Sequence, residues 1–139
     1  MVYIGSCKCD RWRVDVRLTV PLEELNPRVC DCHYCQTSYG ETNSASILSD
    51  PNMLVTFIGD GTPIKQNGDR LANFYHCNRC NVLLAVGCSI NGQLRGAVNA
   101  NLLLDMNKLG EPLQIQPRLL SVDEKIMRWN KLWGALSGF

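Results

Sequence analysis

The chain carries two cysteine pairs that decide how it folds, Cys7-Lys-Cys9 near its start and Cys77-Asn-Arg-Cys80 beyond its middle. In an extended segment, residues i and i+2 point to the same face, so a CxC pair presents two thiolates to one ion. A CxxC pair on a tight turn does the same. Since structural zinc takes four protein ligands in a tetrahedron, the two pairs together have the ligand set for one closed site that fastens the N-terminal strand to a distant one.

A third cluster, Cys30-Asp-Cys32-His-Tyr-Cys35, lies between the two pairs. Catalytic zinc usually keeps three protein ligands and leaves its fourth position for water or substrate. Seven clustered thiolates divide into four and three, so the spacing predicts two Zn²⁺ ions per chain, the second of them a catalytic zinc on this triplet. We expect any chemistry to take place at that open position.

The division of the ligands has alternatives that the sequence leaves open. The Cys7 pair also has the spacing to share an ion with Cys30 and Cys32, and His33 or His76 is available to complete the triplet. A position beside the metal or facing a substrate suits His33 as well as ligation does, and exposure to solvent is a further alternative. We expect His76 to pack against the neighbouring cysteine loop or to orient it.

Composition predicts one ordinary globular domain over residues 1–139. Hydrophobic residues make up 45% of the chain and charged residues 19%, which excludes a disordered protein. The net charge is +1 and the Lys and Arg residues are scattered, so the sequence predicts no nucleic-acid partner. No apolar run approaches the roughly 18 residues of a membrane span, and we expect a small-molecule substrate instead.

The N-terminus reads MVYIGSCKCDRWRV and lacks the charged start and apolar run of a secretory signal. We therefore expect a cytoplasmic or nuclear protein, in which thiols stay reduced and clustered cysteines indicate metal binding rather than disulfides. Cys88 stands alone in the apolar stretch AVGCSI and is predicted to be a core residue. No βαβ pattern surrounds Cys77 and Cys80, which argues against a thioredoxin-like redox pair.

Alternating and β-branched positions predict a mainly β chain. From Trp12 to Leu18 apolar residues alternate with charged ones, which is typical of a half-buried strand within residues 5–18. Gly59-Asp60-Gly61 predicts one hairpin turn, and Asn91-Gly92 predicts another that joins strands 83–90 and 94–98. Further elements are expected at 45–58 with a turn at 50–52, at 71–76, at 82–89, and as a short helical turn at 22–25.

The C-terminal part of the chain predicts an amphipathic helix at about residues 121–136. Ser121 and Glu124 form a capping box at its start, and Gly134 or Gly138 is suited to end it. Helical spacing places five apolar residues on one face, which we expect to dock on the sheet. These residues are Ile126, Trp129, Leu132, Trp133 and Leu136.

Three ordered motifs give the chain a specific resemblance. They are Gly5-Ser-Cys7-Lys-Cys9, the CDCHYC of residues 30–35 followed by Gly40, and Phe74-Tyr-His-Cys77-Asn-Arg-Cys80. From about residue 5 to 104 the chain resembles the glutathione-dependent formaldehyde-activating enzymes, also called the GFA or CENP-V domain family. The resemblance implies the β-tent fold, which is shared with zinc-binding chaperones of Rab GTPases.

The resemblance also implies which cysteines hold each ion. It implies a structural zinc on the two outer pairs and a second, more labile zinc near the thiol substrate. The structural ligands are Cys7, Cys9, Cys77 and Cys80, and the ligands of the second zinc are Cys30, Cys32 and Cys35.

The activity that the resemblance implies joins formaldehyde and glutathione into S-hydroxymethylglutathione, a carbon–sulfur lyase reaction in reverse. An open zinc position binds and deprotonates a thiol, or polarises a carbonyl. Three thiolates weaken the Lewis acidity of the ion, so we favour thiol binding. The polar residues near the triplet supply candidates for proton transfer, of which His33 and Tyr39 are our candidate catalytic residues; the others are Asp31, Ser38 and Glu41.

Some positions depart from the family pattern. Asn81 stands where the family commonly has Gly, residues 36–39 lack a basic pair often found there, and the C-terminal helix is an addition to a minimal domain. These differences indicate a diverged member whose substrate need not be glutathione or formaldehyde, and we expect a glutathione or other thiol adduct or another small electrophile. The alternative is a non-catalytic zinc-stabilised binding module of the CENP-V or Rab-chaperone kind, although the +1 charge argues against the former and the cysteine arrangement against the latter.

Overall fold

The structure, a computed structural model, describes residues 1–30, 46–67, 72–115 and 121–139. In this part of the chain eleven strands form one branched, mostly antiparallel sheet, which confirms the predicted mainly β class. The strands are β1 (Val2–Ser6), β2 (Trp12–Arg17), β3 (Arg28–Cys30), β4 (Ser46–Leu48), β5 (Leu54–Gly59), β6 (Ile64–Asn67), β7 (Asn73–His76), β8 (Leu83–Ile90), β9 (Gln93–Asn99), β10 (Leu113–Ile115) and β11 (Gly134–Ser137).

One α-helix, α1 (Val122–Leu132), and three short 3₁₀ turns accompany the strands within the described ranges. The 3₁₀ turns span Leu22–Glu24, Ala100–Leu102 and Met106–Lys108, and the first of them matches the helical turn predicted at 22–25. None of the helices in these ranges is long and apolar enough to cross a membrane.

The sheet branches at β9. One edge of β9 pairs with β8 along its whole length. The other edge is divided, because Arg95 and Gly96 pair with β11 whereas Val98 and Asn99 pair with β4. One arm therefore continues through β11 to β5, β2 and β1, and a second arm continues through β4 to β3 and β10. Beyond β8 the sheet continues to β7 and β6.

The alternation predicted for residues 12–18 is confirmed in β2. Trp12, Val14 and Val16 are buried, whereas Arg13 and Arg17 are exposed. The predicted strand region 5–18 nevertheless contains two antiparallel strands, since β1 and β2 pair from Val2↔Arg17 to Ser6↔Arg13 and the first cysteine pair forms the turn between them.

The hairpin predicted at Asn91-Gly92 is confirmed. Both residues have positive φ (52° and 78°), and Ile90 pairs with Gln93 across the turn. Left-handed backbone at both central positions is the geometry of a two-residue hairpin turn that matches strand twist.

The apolar stretch of β8 is buried on both of its faces. Leu84 belongs to the main hydrophobic core, whereas Leu83, Val86 and Cys88 belong to a second core. This second core also contains Phe74 and other residues of neighbouring strands. The prediction that Cys88 is a core residue is confirmed, and burial raises the pKa of its thiol.

The hairpin predicted at Gly59-Asp60-Gly61 is wrong. The preceding strand β5 pairs with β2 and β11, whereas the following strand β6 pairs with β7. The bend instead contacts both cysteine turns, because the Asp60 carbonyl accepts hydrogen bonds from Arg11 Nε (3.0 Å) and Asn78 Nδ2 (3.4 Å). Gly59 lies against the ring of Trp12 and has no room for a side chain.

The remaining predicted strands are observed with shorter bounds. The stretch 45–58 contains β4 and β5 on either side of the turn after Asp50, and the strands predicted at 71–76 and 82–89 are β7 and β8. The first residues of two predicted strands, 45 and 71, lie outside the described residues.

The C-terminal helix is shorter than the predicted 121–136. The capping box is present, since Ser121 N–H donates to Glu124 Oε1 (3.1 Å) and Glu124 N–H donates to Ser121 Oγ (3.2 Å). The helix ends at Leu132, and the prediction that it continues to Leu136 is wrong. Trp133 is buried in the second core and Leu132 packs against it, while the side chains of residues 126 and 129 lie outside the described part.

Residues 134–137 form β11 because the edges of β5 and β9 are both available to pair with this segment. Ala135 pairs with Leu54 in parallel and with Arg95 in antiparallel fashion, so β11 lies between β5 and β9. Gly134 faces Gly96 across the pair with β9, and the guanidinium of Arg95 donates to the Trp133 carbonyl. These contacts outweigh the helical propensity of the segment, and Leu136 is buried from a strand.

The residue after Gly138 completes an aromatic cluster beside the first cysteine pair. The ring of Phe139 stacks on Phe57 and Tyr75, with centroids 4.5 and 4.6 Å apart, and meets Trp12 edge-on at 5.8 Å. Gly138 adopts a φ of 99°, which turns the chain after β11 toward this cluster.

We expect Phe139→Ala to lower the free energy of unfolding by about 2 kcal/mol, which is less than for a fully buried Phe because the ring is 37% exposed. Chemical denaturation monitored by near-UV circular dichroism measures the loss. Leu104→Ala is the matched control, since this apolar side chain is 70% exposed and its removal should change stability by no more than about 0.5 kcal/mol. Equal losses in the two variants would contradict the anchoring role of Phe139.

Candidate metal centre

The sulfur atoms of the two outer cysteine pairs converge on one point. The four Sγ atoms of Cys7, Cys9, Cys77 and Cys80 all lie within 4.8 Å of one another. Three of the separations are 3.6 Å (Cys7–Cys9), 3.7 Å (Cys7–Cys77) and 3.6 Å (Cys9–Cys77). Sulfurs at about 2.3 Å from a central Zn²⁺ define a tetrahedron with edges of about 3.8 Å, whereas a disulfide needs about 2.05 Å. The four residues are free thiols in an arrangement that fits zinc.

The two cysteine pairs are held by turns of the same construction. Cys7 N–H donates to the carbonyl of Trp12 and Cys77 N–H donates to the carbonyl of Val82, both at 2.9 Å and both across five residues. Each turn therefore lies between two strands and directs its sulfurs to the same side. The first turn joins β1 to β2, and the second joins β7 to β8.

Both turns contain a residue with left-handed backbone. Asp10 has a φ of 62° and Asn81 a φ of 63°, and their N–H groups donate to the carbonyls of Cys7 and Cys77, each at 3.0 Å. Asn and Asp adopt this conformation more readily than other residues with a side chain. Asn81 thus adopts the left-handed backbone that a Gly at the same position would also adopt. The replacement of Gly by Asn therefore does not change the shape of the turn.

His76 supports the second turn, as expected from the sequence. Its ring is 4% exposed, and Nδ1 lies 3.0 Å from the carbonyl oxygen of Asn81. Because a carbonyl only accepts, Nδ1 carries the proton in this contact. Burial lowers the pKa of His76, and the hydrogen bond to Asn81 partly opposes this shift. The neutral ring therefore orients the backbone next to Cys77.

Backbone N–H groups point at the sulfur atoms. Trp12 N–H donates to Cys7 Sγ (3.3 Å), and the N–H groups of Arg79 and Cys80 donate to Cys77 Sγ (both 3.4 Å). Hydrogen bonds of this kind stabilise the negative charge that thiolates bring to a metal site.

In the metal-free cluster, the pKa of Cys7 is raised and the pKa of Cys80 is lowered. Burial raises the pKa of Cys7 to about 11, against the lowering effect of its backbone hydrogen bond with Trp12. Burial also acts to raise the pKa of Cys80, but hydrogen bonds from the backbone of Val82 and Cys9 and from neighbouring thiols outweigh it and lower the pKa to about 6. At neutral pH Cys80 is thus a thiolate that attracts a cation, and metal binding must displace the proton of Cys7.

A brace outside the sulfur shell joins the two turns directly. Trp12 Nε1 donates to Asn78 Oδ1 at 3.0 Å, and Asn78 shares the Asp60 carbonyl with Arg11. The alternation around Trp12 predicts only a buried strand position for it, and no sequence motif assigns a role to Asn78. The one sequence feature that points to a role for Asn78 is its polar side chain inside the CxxC turn.

The structure describes little of the middle triplet. The backbone of Cys30 ends β3, where it pairs with Ile115 of β10, and the side chain of Cys30 is outside the described part. The other predicted site residues lie outside the described residues altogether; these are Cys32, His33, Cys35 and Tyr39. The second zinc site and its catalytic residues stay predictions.

We expect Cys77→Ser to remove about one zinc per chain and to lower the free energy of unfolding by at least about 4 kcal/mol, because the fully buried sulfur belongs to a four-cysteine cluster that fits a zinc ion and joins two turns. Elemental analysis and chemical denaturation measure both effects. Cys88→Ser is the matched control, as it changes a buried thiol that is outside the cluster. Equal zinc content in the two variants would count against the site.

Substitution of Asn81 tests the left-handed turn. We expect Asn81→Gly to stay within about 0.5 kcal/mol of the parent stability, whereas Asn81→Val loses about 1–2 kcal/mol because a β-branched residue is strained at positive φ. The rate of zinc loss to a chelator should rise only in the Val variant. An Asn81→Val variant with the stability and the zinc-loss rate of the parent would show that the turn does not need this backbone conformation.

Comparison with known proteins agrees with the cysteine geometry. The family model described as glutathione-dependent formaldehyde-activating enzyme matches residues 2–118. No match to the chain was found among curated proteins or among solved structures. The matched range contains all three cysteine clusters and ends before α1 and β11. Because it covers most of the chain, the protein belongs to the family of glutathione-dependent formaldehyde-activating enzymes.

Proposed function

We propose that the protein is a zinc-dependent enzyme of the carbon–sulfur lyase kind, which forms or cleaves the adduct of glutathione or another thiol with a small electrophile. The proposed site is an open three-thiolate zinc site on Cys30, Cys32 and Cys35. The observation that carries the proposal is the convergence of the four outer cysteines. Because those four complete a tetrahedral shell by themselves, the triplet is not needed to close it.

The position of β3 supports separate roles for the two clusters. Cys30 ends β3, which belongs to the sheet arm that leaves β9 through β4. Cys7 and Cys9 lie between β1 and β2, at the end of the arm that leaves through β11. A structural ion between the β1–β2 turn and the β7–β8 turn and a reactive site on the arm of β3 can be altered independently.

The proposed reaction is the addition of a thiol to a carbonyl. A Zn²⁺ ion with an open position supplies a place where a thiol sulfur is held as its thiolate. The sulfur forms a bond to the carbonyl carbon, the π electrons of the carbonyl move to its oxygen, and that oxygen receives a proton. Breaking the carbon–sulfur bond with return of the proton is the lyase direction.

We assign the proton transfers to His33 and Tyr39. An imidazole titrates near neutral pH, so His33 is suited to accept the proton of the thiol and to return it to the carbonyl oxygen. Tyr39 is proposed to donate a hydrogen bond to that oxygen. Both residues lie close to the triplet in the sequence.

We expect Cys32→Ser to reduce thiol-dependent turnover at least about 100-fold, because it removes one ligand of the reactive site, and to leave the melting temperature nearly unchanged. The assay follows S-hydroxymethylglutathione formation from formaldehyde and glutathione by NMR, with the uncatalysed rate subtracted. Cys88→Ser, which leaves both clusters intact, is expected to keep its activity. Full activity in folded Cys32→Ser would refute the role of the triplet.

The zinc content separates the enzyme from a zinc-stabilised binding module. The proposal predicts two zinc ions per chain, of which one is removed readily by a chelator and is missing in Cys32→Ser. Two ions that resist chelation equally, together with no reaction of any thiol and aldehyde pair, would favour the binding module.

A further inference from the structure

A cleft with a positive charge lies between β3 and α1. Its volume is about 550 Å³, which is within the range of small-molecule sites. Three of its lining side chains are basic, one is acidic and two are apolar; they are Arg28, Arg128, Lys131, Glu124, Met127 and Leu132. The basic residues come from two elements that are far apart in the sequence.

The basic side chains of the cleft lack a carboxylate partner in the described part of the chain, where the one ion pair joins Lys108 and Asp105. Arg28 is half-buried and donates to the neutral Ser49 Oγ at 2.9 Å. The guanidinium of Arg128 lines the same cleft. Two guanidinium groups that repel each other beside a cleft are stabilised when an anion binds between them.

Glu124 does not serve as this anion. Its carboxylate accepts the Ser121 N–H in the capping box, and that backbone hydrogen bond, followed by one with the Ser121 side chain, lowers the pKa of Glu124. The carboxylate is thus directed to the N-terminal end of α1, whereas Lys131 belongs to the last turn of the helix. The cleft keeps an excess of positive charge.

The cleft adjoins the strand that leads to the proposed reactive site. Cys30 follows Arg28 by two residues on β3, which is about 7 Å along a strand. In an extended peptide, a carboxylate one or two residues away from a thiol lies about 4–7 Å from it along the chain. A peptidic thiol is therefore long enough to place its sulfur near Cys30 while its carboxylate reaches the basic residues.

We propose that Arg28, Arg128 and Lys131 form a carboxylate-binding cleft that selects anionic peptidic thiols as substrates; this rests on the proposed function for the position of the thiol. The planar guanidinium donates two parallel hydrogen bonds to a carboxylate, which gives direction as well as charge. Residues 36–39 carry no basic side chain. In this chain α1 supplies two of the three basic side chains of the cleft. This helix lies beyond residue 118, where the match to the family model ends.

Binding of S-methylglutathione tests the cleft without depending on catalysis. This probe keeps both carboxylates, and its methylated sulfur has no proton to lose. We expect Arg128→Gln and Lys131→Gln each to weaken binding about tenfold in calorimetric titrations of the zinc-loaded full chain. Arg17→Gln removes the same charge from an exposed site on β2 and should bind like the parent. The dimethyl ester of the probe should bind the parent about as weakly as a double variant, Arg128→Gln with Lys131→Gln, binds the acid.

The outcomes separate this proposal from the proposed function. Unchanged binding in Arg128→Gln and Lys131→Gln, equal binding of acid and ester, or no binding by the parent at millimolar concentration would each overturn the cleft. Cys32→Ser should bind S-methylglutathione like the parent whatever its activity. Loss of binding in Cys32→Ser with full binding in the basic variants would place the anion at the triplet and overturn the cleft.

Discussion

The fold depends on a cluster of four sulfur atoms that joins two turns on distant strands of the sheet. Hydrogen bonds lead from β2 through β5, β11, β9 and β8 to β7, and the cysteine cluster joins the turn before β2 to the turn after β7. The cluster thus closes a ring of which the strands form the rest. Once deprotonated to bind a metal, sulfurs 3.6–3.7 Å apart would repel one another strongly in a buried place without the cation. A cation that removes this repulsion therefore stabilises the whole ring and not only its two turns.

Strand β11 is a link of the same ring. The family model matches the chain up to residue 118, and the sequence predicts the C-terminal helix as an addition to a minimal domain. In the structure Ala135 pairs with both Leu54 and Arg95, so that β5 and β9 would each present an unpaired edge without it. In this chain the C-terminal segment therefore belongs to the sheet, and Phe139 extends it to the core beside the first cysteine turn.

Local patterns made much of the fold predictable. The Asn91-Gly92 turn, the alternation of β2 and the capping box of α1 depend on neighbours in the sequence, and all three are observed. Leu136 shows what such patterns miss, because four residues after Leu132 it suits a helix face as well as a strand. Its choice of strand depends on Leu54 and Arg95, which the sequence does not connect to it. The outer cysteines were informative because metal geometry, unlike apolar packing, limits which residues can meet.

The cysteine triplet and the helix that lines the cleft are attached to different parts of the sheet. β3, which leads to the triplet, is fixed by β4 and β10. The end of α1 is fixed at the branch strand, since Trp133 is buried and its carbonyl accepts from Arg95 of β9. One wall of the cleft therefore belongs to the arm that leaves β9 through β4, and the other wall is a helix whose end is attached to β9 itself. Under the proposed function, changes in α1 would alter which thiol is bound while the cysteines, and the reaction proposed for them, stay the same.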